Sequence, residues 1–193
     1  MECVKCVFVG DSAVGKTCML ISYKTGSFPT DFVPQVDDNY HEDFPISDGH
    51  RVSLGLFDTA GQDEYYRTRP LRYPKTDVFI ICYSISSPTS LENVGKKWLP
   101  EIRQHCRDFR FLLVGTQSDL RKDARALEKL EAEGGSLVDL ARAEEQGKKL
   151  GAARVMECSA KTQACLKDVL EEAVKVALAP RASESESKCC VLL

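Results

Sequence analysis

The chain has 193 residues, of which 43% are hydrophobic and 28% charged, as is usual for one folded domain and unusual for a disordered chain. Lys and Arg number 26 and Asp and Glu 29, so the formal net charge is −3, which disfavours nucleic acid as the main partner. The sequence shows no secretion signal, and its longest strongly apolar run, residues 78–82, is too short to span a bilayer. We therefore expect a reduced, intracellular, single-domain protein. A monomer is also expected.

Strand-like and helix-like segments alternate along the chain. The first half predicts a strand at 4–10, a helix at 15–25, an irregular stretch at 28–39, two strands flanking a turn at Asp48-Gly49, and a buried strand at 78–84. The second half predicts strands at 109–115 and 154–157 and helices at 91–105, 138–150 and 166–179. This order predicts an α/β fold with a mostly parallel sheet covered on both faces. Ligands of such sheets bind beyond the carboxyl ends of the strands, in the loops that follow them.

Nine cysteines are scattered through the chain. Cys3 and Cys6 form a C-x-x-C pair, a pattern found in redox centres and as half of a zinc site. The sequence has no second such pair, and its three histidines lie far away, so we interpret Cys6 as a small apolar strand residue. Cys82 and Cys158, in or beside predicted strands, receive the same interpretation.

Residues 10–17 read GDSAVGKT, a G-x-x-x-x-G-K-[ST] motif that directly follows a strand and opens a helix. The backbone N–H groups of such a loop wrap a phosphate, and the helix dipole favours the negative charge. Lys16 would reach the outer phosphates and the Thr17 hydroxyl would coordinate Mg²⁺. The predicted nucleotide-binding residues of this loop are Gly10, Asp11, Ser12, Ala13, Val14, Gly15, Lys16, Thr17 and Cys18.

A second loop, Asp58-Thr59-Ala60-Gly61-Gln62, follows the second hairpin strand. Asp58 can hold Mg²⁺ through water, and the Gly61 N–H can touch a γ-phosphate. Gln62 can orient the attacking water, so it is the predicted catalytic residue.

Two further loops predict which base is bound. An aspartate after the strand at 109–115 can accept hydrogen bonds from the N1–H and exocyclic amine of guanine, a donor pair that adenine lacks, so Asp119 selects guanine. After the last strand, the Ala160 N–H can meet the guanine O6. The predicted residues of these loops are Thr116, Gln117, Ser118, Asp119, Ser159, Ala160 and Lys161.

These motifs resemble those of the Rho family of small GTPases over residues 1–179. The Rac and RhoG types are most similar, through the sequences KCV at 5–7, TC at 17–18, LISY at 20–23, DNY at 38–40 and ECSA at 157–160. The charged, helix-prone segment 121–137 matches the insert that distinguishes the Rho family from its Ras relatives. The resemblance implies a three-layer P-loop NTPase fold with a six-stranded, mostly parallel sheet and an insert helix.

The resemblance also implies a switch that binds GTP or GDP with Mg²⁺ and hydrolyses GTP to GDP and phosphate. Phe28 would stack on the guanine, and the switches would span about 31–40 and 62–73, ordered by the γ-phosphate and released on hydrolysis. Implied partners are effectors such as kinases, exchange factors, GTPase-activating proteins and a GDP-dissociation inhibitor, with a role in actin organisation. The implied effector region comprises Phe32, Val33, Pro34, Gln35, Val36, Asp37, Asp38, Asn39 and Tyr40.

Four residues depart from the family pattern. Ser12 replaces a Gly, and its side chain would crowd the attacking water, Gln62 and any arginine finger. Gln117 replaces a Lys that packs along the base and braces the phosphate loop, so we expect weaker binding and faster exchange. Gln35 replaces the Thr that ligates Mg²⁺ in the active state and is a poorer ligand. Asp37 replaces an aromatic-type effector contact, which predicts poor binding of the usual Rac-type effectors.

Together these departures predict a GTP-loaded protein with slow hydrolysis and a weak response to GTPase-activating proteins. A tolerated Ser12, being small, is the alternative at that position. A nucleotide-bound interaction module that does not cycle is a second reading of the whole chain, supported by Ser12, Gln35 and Gln117. An ATP-dependent phosphotransferase is a third, disfavoured by Asp119 and the SAK sequence at 159–161.

The last residues predict a lipid anchor. Residues 1–179 would form the GTPase domain and 180–193 a flexible tail that ends in CVLL, a C-a-a-X signal for geranylgeranylation of Cys190. Residues 181–188 carry two positive and two negative charges, so they lack the basic run that assists many lipid anchors. Cys189 is therefore the expected second signal, as a palmitoylation site. The predicted location is the cytoplasmic face of the plasma membrane, and also the cytoplasm.

Overall fold

The computed structural model describes residues 2–30, 39–46 and 50–180. Within them, six strands form one sheet in the order β2-β3-β1-β4-β5-β6, in which only β2 runs antiparallel to its neighbour. The strands are β1 Glu2–Gly10, β2 Asn39–Pro45, β3 Arg51–Phe57, β4 Val78–Ser84, β5 Phe111–Thr116 and β6 Arg154–Glu157. The predicted α/β fold with a mostly parallel, six-stranded sheet is confirmed.

Helices cover both faces of the sheet. They are α1 Lys16–Thr25, α2 Pro88–Asn93, α3 Leu99–His105, α4 Ala124–Ala132, α5 Leu140–Leu150 and α6 Leu166–Leu178, with short 3₁₀ turns at Asp63–Tyr65, Arg69–Arg72 and Ser118–Lys122. Helix α4 lies in the segment predicted as the insert. Each helix in the described part of the chain is too short or too polar to cross a lipid bilayer.

The helix predicted at 91–105 is instead three consecutive elements. It begins earlier, at Pro88, because the Ser87 hydroxyl caps the first turn and proline is tolerated there. A π-helical turn, Val94–Trp98, separates α2 from α3. Pro100, the second residue of α3, has no N–H to donate, so the regular α-helical hydrogen bonds cannot run unbroken through this point.

Other predicted boundaries shift by one or two residues: β1 begins at Glu2 rather than 4, α1 begins at Lys16 rather than 15, and β5 ends at Thr116 rather than 115. Strand β5 begins at Phe111 rather than 109. Helix α5 begins at Leu140 rather than 138, because Asp139 caps it and the Val138 N–H donates instead to the Ile85 carbonyl (2.7 Å). Helix α6 ends at Leu178, since the extended Ala179 precedes a proline.

The core has one apolar layer on each face of the sheet. Cys6 and Phe8 face the layer that contains α6, whereas Val7 and Val9 face the layer that contains α3. Cys6, Cys82 and Cys158 are buried, and burial raises the pKa of the Cys82 thiol to about 12. These thiols therefore behave as small apolar residues. Among the described residues, no group of three His, Cys, Asp or Glu side chains is placed to hold a metal ion.

Candidate nucleotide-binding site

The loops that follow β1, β3, β5 and β6 meet at the carboxyl edge of the sheet. A cavity of about 380 Å³ opens there. Its lining includes predicted residues of three loops together with Phe28: Ala13, Gly15, Cys18, Phe28, Thr116, Gln117, Asp119, Ala160 and Lys161. Met19, Leu120 and Cys158 also line it. The sequence analysis did not predict these three, although each is an apolar residue beside a motif.

The backbone of the phosphate loop requires glycine. Gly10 has a φ of +151°, and a Cβ on it would lie 2.2 Å from the Cys82 carbonyl oxygen. Gly15 and Ala13 also have positive φ, at +98° and +62°. Alternating backbone conformations of this kind turn successive N–H groups toward one concavity, as in anion-binding nests. The loop is therefore shaped to hold a phosphate by its backbone.

Lys16 lies inside this loop and is only 2% exposed. Its ammonium donates to the carbonyl oxygens of Gly10 and Asp11, each at 2.8 Å. Burial lowers the pKa of Lys16, and the Asp58 carboxylate opposes that shift. The structure thus places a buried cation within the predicted phosphate loop.

Thr17 and Asp58 come together although 41 positions separate them in the sequence. The Thr17 hydroxyl donates to Asp58 Oδ2 at 2.5 Å, and Asp58 is buried. A hydroxyl and a carboxylate are oxygen donors of the kind that Mg²⁺ prefers, so these two residues fit the predicted metal site. Thr59, next to Asp58, is anchored by donating to the Phe8 carbonyl at 2.5 Å.

Gly61 packs directly against the phosphate loop. A Cβ on Gly61 would lie 2.4 Å from Ser12 N and 2.5 Å from Gly10 O, so only glycine fits there. Ser12 and Gln62 are both exposed. The contact at Gly61 brings the backbone of Ser12 next to the segment that carries Gln62.

The two loops predicted to contact the base are the first base loop, residues 116–119, and the second base loop, residues 159–161, and hydrogen bonds join them. Ser159 Oγ donates to Asp119 Oδ1 at 2.6 Å, and Ser118 N donates to the Cys158 carbonyl at 3.0 Å. Thr116 Oγ1 donates to the carbonyl of Val14, which ties the first base loop to the phosphate loop. Asp119 is therefore oriented by a neighbouring hydroxyl at the wall of the cavity.

Gln117 adopts a left-handed backbone conformation, with φ at +64°. Its carboxamide oxygen accepts hydrogen bonds from Ser84 Oγ (2.8 Å) and Ser86 Oγ (3.2 Å). The side chain is thus held by serines at and just after the end of β4. The expected weaker nucleotide binding remains a prediction.

Two braces of the phosphate region were not predicted from the sequence. Asp11 accepts hydrogen bonds from Asn93 Nδ2 and Trp98 Nε1, both at 2.7 Å. No local motif signals this contact, because its members lie more than 80 positions apart. The phosphate loop is therefore fastened to the π-helical turn.

The second brace holds the segment after Gly61. Arg69 is 3% exposed and donates to the carbonyls of Ala60 (2.6 Å) and Gln62 (3.1 Å). It also makes a two-pronged contact with Glu101, at 2.8 and 2.7 Å. Burial acts to raise the pKa of Glu101, but hydrogen bonds from Arg69 and Tyr73 outweigh it and hold that pKa below its usual range.

Part of the predicted first switch and of the tail lies outside the described residues. Asn39 and Tyr40 open β2, and the Asn39 side chain accepts a hydrogen bond from Arg72. The predicted residues that lie outside are Phe32, Val33, Pro34, Gln35, Val36, Asp37, Asp38, Cys189 and Cys190.

Comparison with protein families agrees with this geometry. The model of the family described as "Ras: Ras family" matches residues 5–179. Proteins of this family generally bind GTP and GDP with Mg²⁺, hydrolyse GTP, and act through effectors and regulators. Because the match covers most of the chain, the protein belongs to the Ras family and is a small GTP-binding switch.

Proposed function

We propose that this protein is a Rho-type switch that hydrolyses GTP slowly and signals, when GTP-bound, to effectors that organise the actin cytoskeleton. Residues 1–179 form its GTPase domain. The sequence resemblance to the Rac and RhoG types supports the Rho assignment, as does helix α4, which lies where the Rho insert is expected. Its partners are effectors such as kinases, exchange factors, GTPase-activating proteins and a GDP-dissociation inhibitor.

The observation that carries the slow hydrolysis is the contact between Gly61 and the phosphate loop. Gly61 leaves no room for even a Cβ against Ser12 N, so the backbone that carries the Ser12 side chain lies against the segment of Gln62. A side chain there occupies space that the attacking water and an inserted arginine would use. An arginine finger contributes about 10³–10⁵ in rate, so its exclusion is a large effect.

Single-turnover hydrolysis of GTP tests this proposal. In the presence of a Rho-type GTPase-activating protein, Ser12→Gly should hydrolyse GTP about 100-fold faster than the unaltered chain. Ser136→Gly, at an exposed serine far along the chain, is the matched control and should change nothing. Equal stimulated rates for the unaltered chain and Ser12→Gly would contradict slow hydrolysis.

We also propose a lipid anchor at the cytoplasmic face of the plasma membrane, with a further pool in the cytoplasm. The C-a-a-X sequence supports geranylgeranylation of Cys190, and the balanced charges of 181–188 favour palmitoylation of Cys189 as the second signal. Cys190→Ser should abolish membrane partition in cells, and Cys189→Ser should reduce it. Cys165→Ser, at an exposed cysteine of the described domain, is the control. Unchanged partition of Cys190→Ser would exclude the anchor.

One observation favours a second candidate function, an interaction module that holds nucleotide without cycling. The Gln117 carboxamide is engaged by Ser84 and Ser86, in place of the lysine brace implied by the family resemblance. Nucleotide extracted from protein purified from cells separates the two functions. A slow switch should carry mostly GTP and convert it to GDP on incubation, whereas a module of this kind should leave its nucleotide unchanged for hours.

A further inference from the structure

A chain of hydrogen bonds fastens the second base loop to helix α1. The Ser22 hydroxyl donates to the Ala160 carbonyl at 2.5 Å. Gln163 Nε2 donates to the same hydroxyl at 2.7 Å and to the Ser22 carbonyl at 3.1 Å. Ser22, at the centre of this relay, is fully buried.

The backbone around Gln163 is specialised. Gln163 and Cys165 have φ values of +67° and +58°, which residues other than glycine rarely adopt. Such conformations persist where the surroundings fix them, and they concentrate at binding sites. The Ser159 N–H also donates to the Ala164 carbonyl at 3.0 Å, which closes the loop on itself.

The second base loop acts on two predicted contacts with guanine, and a separate hydrogen bond holds the protein group of each contact. Ser159 holds Asp119, which would read the N1–H and exocyclic amine of guanine. The relay holds Ala160, which lines the cavity and whose N–H would read O6. We infer that Ser22 and Gln163 are positioning residues that set recognition of the guanine O6 through Ala160. This inference rests on the guanine site described above.

The physical basis is the sensitivity of a hydrogen bond to geometry. A carbonyl and the N–H of the same residue belong to adjacent peptide planes, so releasing the Ala160 carbonyl lets its N–H move relative to O6. Hydrogen bonds weaken steeply once their angle or length departs from the optimum. The contacts of Asp119 do not pass through Ser22, so they should persist when the relay is cut.

Affinity for GDP is the first measurement, made by displacement of fluorescent GDP from the full chain. Gln163→Ala and Ser22→Ala should each weaken GDP binding about fivefold, as expected for the loss of a neutral hydrogen bond. The double variant should be little worse than either, because both changes cut one relay. Gln146→Ala, on α5, is the matched control. Gln146 Nε2 also donates to a backbone carbonyl, that of Leu91, at 2.9 Å, so its loss should leave GDP binding unchanged.

Base analogues separate positioning from general loosening. In 6-thio-GDP sulfur replaces O6, and IDP lacks the exocyclic amine that Asp119 would read. In Gln163→Ala the preference for GDP over 6-thio-GDP should fall about threefold, and the preference for GDP over IDP should stay the same. Equal weakening toward all three nucleotides would overturn the inference, because it would indicate a structural role only.

The remaining outcomes are also decisive. Gln163 is exposed, so Gln163→Ala creates no core cavity and remains informative even if Ser22→Ala fails to fold. GDP binding by the unaltered chain with no change in Gln163→Ala would overturn this inference alone. Failure of the unaltered chain to bind GDP would overturn the guanine site itself, and the inference with it.

Discussion

In the phosphate half of the site, the chain presents mainly backbone: Gly10 and Gly61 allow close approach, Gly15 has a positive φ, and Lys16 donates to loop carbonyls. In the base half, side chains do the corresponding work, through the hydroxyls of Ser22 and Ser159 and the carboxamide of Gln163. Backbone contacts survive most substitutions, whereas side-chain contacts change with each one. Affinity and specificity can therefore change through substitutions in the base half while the phosphate half stays intact.

The largest effect should come from breaking the backbone of the phosphate half. Gly10→Ala places a Cβ 2.2 Å from a carbonyl oxygen, so we expect a loss of about 3 kcal/mol in the free energy of unfolding. Gly134→Ala is the control, because Gly134 also has positive φ, at +72°, but has no atom within 4 Å of the Cβ position. It should lose only about 1 kcal/mol in urea unfolding. Equal losses would show that close approach at Gly10 is unimportant.

The phosphate half also uses side chains, and substitution of Asp58 tests whether they bind Mg²⁺. Asp58→Asn keeps the shape but removes the charge beside Thr17, so the Mg²⁺ concentration that half-maximally slows GDP release should rise about 10- to 100-fold. Asp43→Asn, on the exposed side of β2, should leave that concentration unchanged. An unchanged Mg²⁺ dependence in Asp58→Asn would exclude Asp58 from the metal site.

The brace at Glu101 predicts a pH dependence. Its folded-state pKa lies below the ordinary value of 4.5, so its contribution to stability is complete above that value and is lost as the pH falls through the folded-state pKa. Glu101→Gln should cost about 2 kcal/mol at pH 7 and should flatten the fall in stability below pH 4.5. Glu145→Gln, exposed on α5, serves as the control for thermal unfolding across pH. A pH profile identical to that of the unaltered chain would contradict the depressed pKa.

The smallest effect should come from placing in the base half, at position 117, the lysine that the family resemblance implies. Gln117→Lys should slow GDP release about fivefold, because a lysine stem covers apolar surface of the base and its ammonium can reach the phosphate loop. It also gives up the contacts with Ser84 and Ser86, which limits the gain. Gln104→Lys, exposed on α3, adds the same charge elsewhere. Faster release from Gln117→Lys would show that the serine contacts matter more than the brace.

Sequence patterns predicted the sheet and the phosphate loop because the information for both is local. A buried parallel strand such as β4 is a continuous apolar run, and the phosphate loop needs its glycines at fixed spacing. The braces could not be predicted, because Asp11, Arg69 and Gln163 are ordinary polar residues until distant partners approach them. The division of the helix at 91–105 was missed for a different reason. The spacing of the apolar residues in this segment still resembles that of a regular α-helix, although one of its turns is wider.

That wider turn has a consequence for the length of the helix. Asn93 and Trp98 are five positions apart, which in an α-helix would place them about 140° apart around the axis. Because a π turn closes over five residues, Val94–Trp98 brings both side chains to the two oxygens of one carboxylate. Deleting one residue from this turn would restore regular geometry and leave the two side chains four positions apart, about 40° around the axis, so both would still face Asp11. The π turn thus accommodates one extra residue while both donors stay on one carboxylate, so this helix should tolerate a one-residue deletion within the turn better than a further insertion.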